Sequence, residues 1–224
     1  MIPAMKRTRL TRQAPDREAA LAQYRRRAGF YDLELALFEP LRLRAIALLA
    51  LRPGEVVLDV GCGTGLSLAL LSQAVGARGS IIGIEQSPEM IELARQRVAQ
   101  RQLPGVTLLN SPVETAAIPV KADAALFHFT HDILRQPAAV AKVLHHLKPG
   151  ARVVASGLKW APPLLWPVNL LVLPAALHSV TSTEGLAAPW DLLGEQLDHF
   201  QVESAYFGGA YLASGVFRPA LRRR

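Results

Sequence analysis

The chain is poor in cysteine, in unbroken apolar runs and in acidic charge, and each shortage excludes a class of protein. Its one cysteine, Cys62, has no partner for an intramolecular disulfide, and no Cys/His cluster stands at zinc spacing. Neither a disulfide framework nor a metal site is therefore expected, and the surroundings read as reducing and cytoplasmic. No apolar stretch follows the basic N-terminus within the first 30 residues, so no secretory leader is read there. Residues 161–180 are long enough to span a bilayer, but Pro162, Pro163, Pro167 and Pro174 break the run, and Asn169 and His178 interrupt it. They read as a buried or interfacial segment. No internal repeat or low-complexity tract appears.

What is present is a chain of 224 residues, half of them apolar and 19% charged, which suits one packed domain with short extensions. The formal charge of +7 is uneven: Lys6, Arg7, Arg9, Arg12, Arg17 and Arg25 to Arg27 oppose only Asp16 and Glu18, and Arg222, Arg223 and Arg224 close the chain. Charge of this kind favours an anionic partner, such as a membrane surface, without fixing one.

From Asp16 to about Leu51 the apolar positions Leu21, Tyr24 and Ala28, then Leu33, Leu37, Leu41, Ala45 and Leu48, recur at helical spacing, with Pro40 expected to interrupt or kink the run. The turn Arg52-Pro53-Gly54 leads into a strand, Glu55 to Val60, then a glycine cluster, Gly61-Cys62-Gly63-Thr64-Gly65, and a helix from Leu66. The unit repeats. Ser80 to Glu85 reads as a strand, Ser87-Pro88-Glu89 as a helix start and Met90 to Gln102 as the helix. Further strands are expected at 106–109, 122–127 and 151–155, with a helix from Pro137 to Leu147, and a closing hairpin of Gln201 to Phe207 and Ala210 to Phe217 turns at Gly208-Gly209. The expected fold is α/β: a Rossmann-like, doubly wound, mostly parallel seven-stranded sheet with a C-terminal antiparallel hairpin. Residues 1–51 read as a basic extension and helices covering the site, and residues 52–224 as the core, with a Trp/Pro/Leu-rich insertion at about 160–197.

A parallel sheet binds its ligand beyond the carboxyl ends of its strands, which places the glycine cluster at the site. The dinucleotide fingerprint needs a third glycine where Leu66 stands. Instead Asp59 ends the strand ahead of G-x-G-x-G, and a second acid, Glu85, ends the next strand, where a carboxylate can take both hydroxyls of a ribose.

Val57-Leu58-Asp59-Val60-Gly61-Cys62-Gly63-Thr64-Gly65, with Glu85, resembles the first two motifs of class I S-adenosylmethionine-dependent methyltransferases. Tyr24, Ala28 and Tyr31-Asp32 resemble the signature that precedes the core in small-molecule and quinone-type members, and Leu147 to Val153 resembles their entry to the fifth strand. The resemblance implies that S-adenosylmethionine is the cofactor. It implies that Glu85 holds the ribose, that Gly61, Cys62 and Gly63 back the methionine part, and that Asp59 orients the loop and the cationic end. Gln86 and Met90 would flank the adenine, with Pro112 and Val113 on its other side. Here Ser111-Pro112-Val113-Glu114 replaces the acid-bearing stretch usual in the family, so the Val113 main chain is expected to make the adenine contact. Tyr24 and Tyr31 would close over the methionine carboxylate or pack as a helix face, and Cys62 reads as a small packing residue.

The loop after the fourth strand, Phe127-His128-Phe129-Thr130-His131-Asp132, is by the same resemblance the border between methyl donor and acceptor. His128 is placed beside the cofactor, and His131 is the candidate general base, with Asp132 to orient it; a loop histidine satisfied by its neighbours is the competing reading. The acid or amide followed by Pro-Pro-aromatic that resembles nucleobase methylases is missing here, so no nucleic acid partner is expected. The acceptor is expected to be small and apolar or aromatic, with the 160–197 insertion capping its pocket or packing on the sheet edge. Two alternatives stay open: transfer of a different group from the same cofactor, and a basic, non-catalytic binding module.

Overall fold

A computed structural model describes residues 36–179 and 183–218. The candidate residues Tyr24 and Tyr31 and the basic terminal runs lie outside the described residues. The described chain forms a seven-stranded sheet in the order β3-β2-β1-β4-β5-β7-β6. The strands are β1 (Val56–Val60), β2 (Ser80–Glu85), β3 (Val106–Asn110), β4 (Ala122–His128), β5 (Leu147–Leu158), β6 (Leu197–Ala205) and β7 (Ala210–Phe217). The first five run parallel, and β7 lies antiparallel between β5 and β6. The expected architecture is therefore observed, with β1 and β4 flanking the point where strand order reverses.

The helices are α1 (Glu39–Leu48), α2 (Leu68–Val75), α3 (Pro88–Gln100), α4 (His131–Leu134), α5 (Pro137–His145), α6 (Asn169–Ser179) and α7 (Asp191–Gly194). Successive strand residues face opposite sides, so the central strands feed two cores. Leu58, Val60, Ala125 and Phe127 pack with Val140, Val143 and Leu144 of α5. Val57, Ala124 and Leu126 pack with Leu41 and Ala45 of α1 and Leu68 and Leu71 of α2.

Local chemistry sets the helix starts. The Ser87 side chain accepts the Met90 N–H, with Pro88 in the first turn of α3, as expected. Pro40 does not kink a longer helix; it occupies the first turn of α1, where the missing N–H costs nothing, after a 3₁₀ turn at Ala36–Phe38. The expected apolar face of α1 is rotated. Leu41, Arg42, Ala45 and Ile46 are buried, whereas Leu37 and Leu48 are exposed. The closing hairpin also differs: β6 starts at Leu197 and ends at Ala205, and Tyr206–Gly208 forms a 3₁₀ turn. β6 carries a bulge between Asp198 and Gln201, so pattern reading shifted its start.

Candidate cofactor and acceptor site

The glycine loop begins where β1 ends and is stitched to β2, because the Gly61 and Cys62 N–H groups both donate to the Ile84 carbonyl, at 2.8 and 3.0 Å. Two glycines there take left-handed backbone, and at Gly61 a side chain is also excluded by contact. Gly61 has φ +72, and a Cβ on it would fall 2.6 Å from Thr130 Cγ2 and 2.9 Å from Ile133 Cδ1. Gly63 has φ +55 and donates its N–H to Glu85 Oε2 at 3.1 Å. The second Glu85 oxygen accepts the Ser87 N–H at 2.8 Å. Glu85 is buried, and that burial raises its pKa against the opposing pull of the main-chain N–H donors from Ser87 and Gly63. One carboxylate thus ties the glycine loop to the start of α3 at the end of β2.

An open cleft lies over this loop, lined by Arg42, Asp59, Gly61, Gly63, Ser67 and His128 among others. Asp59 is fully buried at its base, and its Oδ2 has no hydrogen-bond partner. Burial pushes its pKa up to about 7, although the Arg42 guanidinium pulls it down. An orphaned carboxylate beneath a glycine loop fits the cationic end of S-adenosylmethionine, as the residues of the loop and Glu85 fit its ribose and methionine parts. The sign for binding follows. A cation selects the ionised Asp59, so affinity for the cofactor should rise as pH is taken from about 5.5 to about 7.5, and Asp59→Asn should flatten the rise. Calorimetry across that range measures it. In the absence of ligand the raised pKa acts the other way: stability falls as pH rises from the ordinary carboxylate range, about 4, through about 7.

Arg42 is the residue sequence reasoning missed. It lies in α1, is 2% exposed, and pairs with Glu39 while facing Asp59 and His128. A guanidinium at the rim of such a cleft suits a carboxylate. The signal was an arginine inside the buried stripe Leu41, Ala45, Ile46, which helical spacing alone assigns to apolar residues. Arg97 was missed too: from α3 it donates to the Thr64 carbonyl at 2.8 Å and braces the far side of the glycine loop.

The other expected cofactor residues divide. Asn110 Nδ2 donates to the Glu85 and Gln86 carbonyls, at 3.0 and 3.2 Å, and Ser111 N–H to the Glu85 carbonyl, at 3.1 Å, so Gln86 and the turn at Pro112–Val113 come to the same end of the sheet. The side chains of Met90 and Val113 are buried. Cys62 packs as expected. Its sulfur covers Gly83 of β2, where an added Cβ would fall 3.0 Å from it, and burial pushes its thiol well up.

The two histidines occupy different places. His128 lines the cofactor cleft; its Nδ1 lies 2.7 Å from Ser156 Oγ, its Nε2 is buried without a partner, and burial together with Arg42 drives its pKa to about 3. His131 borders a narrow neighbouring cleft lined by Phe129, Ser156, Leu158, Leu186 and Tyr211. Its Nε2 lies 2.9 Å from the Glu184 carbonyl, an acceptor, so Nε2 carries the proton and Nδ1 presents a lone pair. That Nδ1 is buried with no partner. Burial lowers the His131 pKa, and the ring is neutral at pH 7. Glu184 belongs to the insertion and pairs with Arg135 at 2.7 Å, and Leu186 of the same insertion lines this cleft. Among the described residues no group of three or more His, Cys, Asp or Glu could hold a metal ion.

Residues 57–150 match the family model for a methyltransferase domain. The chain is 36% identical over 93 residues to aklanonic acid methyltransferase DauC of Streptomyces sp., covering 41% of this chain and 42% of that protein. It is 26% identical over 184 residues to 2-phytyl-1,4-naphtoquinone methyltransferase of Synechococcus elongatus, covering 77% and 78%. Against several curated relatives, DauC among them, the chain spans between 30% and 59% of their lengths. A solved structure of an S-adenosylmethionine-dependent methyltransferase from Aquifex aeolicus matches the fold with a TM-score of 0.57 at 20% identity, covering 88% of this chain and 98% of that one. The strand order reversed at β1 and β4 and the glycine loop anchored on Glu85 thus stand within a stretch, residues 57–150, that matches a methyltransferase domain, on a fold shared with a solved methyltransferase.

Proposed function

We propose that the protein transfers a methyl group from S-adenosylmethionine to a small, apolar or aromatic acceptor. The observation that carries this reading is the pairing of two adjoining spaces: a polar cleft over the glycine loop, and an apolar cavity into whose wall a neutral histidine is set. The cofactor supplies an electrophilic methyl group on a sulfonium. The chain's own residues bind and align. Glu85 takes the ribose hydroxyls, Asp59 meets the ammonium group and Arg42 the carboxylate of the methionine part, while the glycines let the main chain approach. In-line displacement gains chiefly from such alignment.

On the acceptor side, Phe129, Leu158, Leu186 and Tyr211 offer an apolar wall, and His131 Nδ1 can take a proton from a hydroxyl as it attacks. The relatives' names, a methyltransferase of aklanonic acid and one of a phytylated naphthoquinone, point the same way. Incubation with methyl-labelled S-adenosylmethionine and a panel of hydroxyquinones, phenols and aromatic acids should release S-adenosylhomocysteine and label one acceptor class. Release of methylthioadenosine would assign transfer of a different group, and no turnover across the panel and host metabolite extract would leave a binding module.

A further inference from the structure

We propose that the end of the molecule bearing the acceptor cavity carries a lipid-docking surface, formed by the 3₁₀ turn Pro163–Val168, helix α6 and the tip of the β6–β7 hairpin, and that its partner is an anionic bilayer. From Trp160 to Thr183 the sequence has no Asp, Glu, Lys or Arg. A run so apolar is expected to be buried, yet Leu164, Trp166, Leu170, Leu171 and Phe207 are each between 60% and 91% exposed. Among the described side chains of α6, Val172 and Ala176 are the buried ones. A helix that is apolar on both sides and sits at the surface lacks a second apolar medium.

The elements that carry these side chains are neighbours. A Cβ on Gly208 would fall 2.7 Å from Pro162 Cδ, and one on Gly209 would fall 2.8 Å from Val172 Cγ2 and 3.0 Å from Val168 Cγ1. The hairpin tip, the 3₁₀ turn and α6 are therefore in direct contact. Asn169 pins the start of α6 to the chain leaving β5, accepting from the Ala161 N–H at 2.8 Å. Large apolar side chains gathered in this way, rather than scattered singly, mark an interaction face.

Two further observations select a bilayer. Trp166 stands among aliphatic neighbours at the exposed rim, the arrangement favoured at the boundary between headgroups and hydrocarbon. The basic segment, moreover, joins the described chain beside this surface: Tyr206 Oη donates to the Leu37 carbonyl at 2.9 Å, and Phe38 packs on Tyr206 with ring centroids 5.5 Å apart. Arg25, Arg26 and Arg27 stand ten to thirteen residues from Leu37 and Phe38 in sequence, and even a fully extended chain keeps them within about 47 Å of Leu37 and Phe38. Cations at that range of an apolar face complement anionic headgroups. The same surface reaches the acceptor side, since Phe38 also packs on Phe129, at 4.8 Å between centroids, and Phe129 lines the cavity. Among the described residues no helix is long and apolar enough to cross a membrane, so the contact is peripheral.

The full chain should be mixed with vesicles of phosphatidylcholine alone and of phosphatidylcholine with phosphatidylglycerol. It should co-sediment with the anionic vesicles, its tryptophan emission should move to shorter wavelength, and Trp166→Phe should remove most of that shift. The triple substitution L164S/L170S/L171S lies on exposed positions and should lower the partition coefficient at least about tenfold, with S-adenosylhomocysteine affinity and Tm unchanged. R25Q/R26Q/R27Q should abolish the preference for anionic over neutral vesicles. The proposal is overturned by an absence of vesicle binding at low salt, which would mean that other residues of the chain cover the face, or by binding that the triple serine variant leaves intact. A concentration-dependent dimer that protects Trp166 from quenching in solution would also overturn it. Both sets of variants leave the cofactor residues untouched, so their outcome is separate from that of the methyl-transfer assay.

Discussion

Glu85→Ala should weaken binding of S-adenosylmethionine and S-adenosylhomocysteine by about 1.5 to 3 kcal/mol, a factor of roughly 10 to 150. The loss has two parts. The ribose loses its acceptor, and the Gly63 and Ser87 N–H groups lose theirs, at 3.1 and 2.8 Å, so the glycine loop is no longer held to the head of α3. Glu85→Gln separates them: it keeps one oxygen acceptor and should recover part of the loop anchoring while affinity stays low. Calorimetry with both variants is the measurement. Wild-type affinity in Glu85→Ala would mean that the ribose is held elsewhere.

His131→Ala should lower turnover about a hundredfold or more with cofactor affinity nearly intact, because the residue borders the acceptor cavity and not the cofactor cleft. The pH dependence gives an independent readout. Burial holds the imidazole below its ordinary range near pH 6.5, so the neutral, proton-accepting form persists on acidification, and the acid limb of kcat/KM should fall below that value. The limb should vanish in the variant. An equal fall in turnover and cofactor binding would instead make His131 a support for the insertion, through its bond to the Glu184 carbonyl.

The residues that meet at the candidate cofactor cleft were legible because their placement is local. Asp59, the glycines and Glu85 sit within two strand–loop units, and the dihedral demands of Gly61 and Gly63 write themselves into residue type. Arg42 was not legible, since helical periodicity assigns a charged residue to the solvent side, and only the fold places it over Asp59. Nor was the partner of His131. The Glu184 carbonyl stands 53 residues away and is a main-chain group with no sequence signature. The 161–180 stretch was legible as a buried or interfacial segment, but its division into buried Val172 and Ala176 and exposed Leu164 and Leu171 was not, because a run apolar at every position carries no periodicity to tell the faces apart.

The order of strands has a consequence for how the chain reaches this state. β6 emerges before β7, yet among the described residues β7 is its one neighbour in the sheet and separates it from β5. Until Ala210 to Phe217 pair, β5 is an open edge and β6 has nothing to join. The tight turn at Tyr206–Gly208 makes the β6–β7 hairpin a short-range event, whereas docking of β7 on β5 closes contacts between Leu158 and Ala210 and between Arg152 and Val216. The strand order thus leads to the expectation that a preformed hairpin arrives last on a five-stranded parallel core that already holds the glycine loop and Glu85. Ligand added during refolding should therefore capture the core before the hairpin docks.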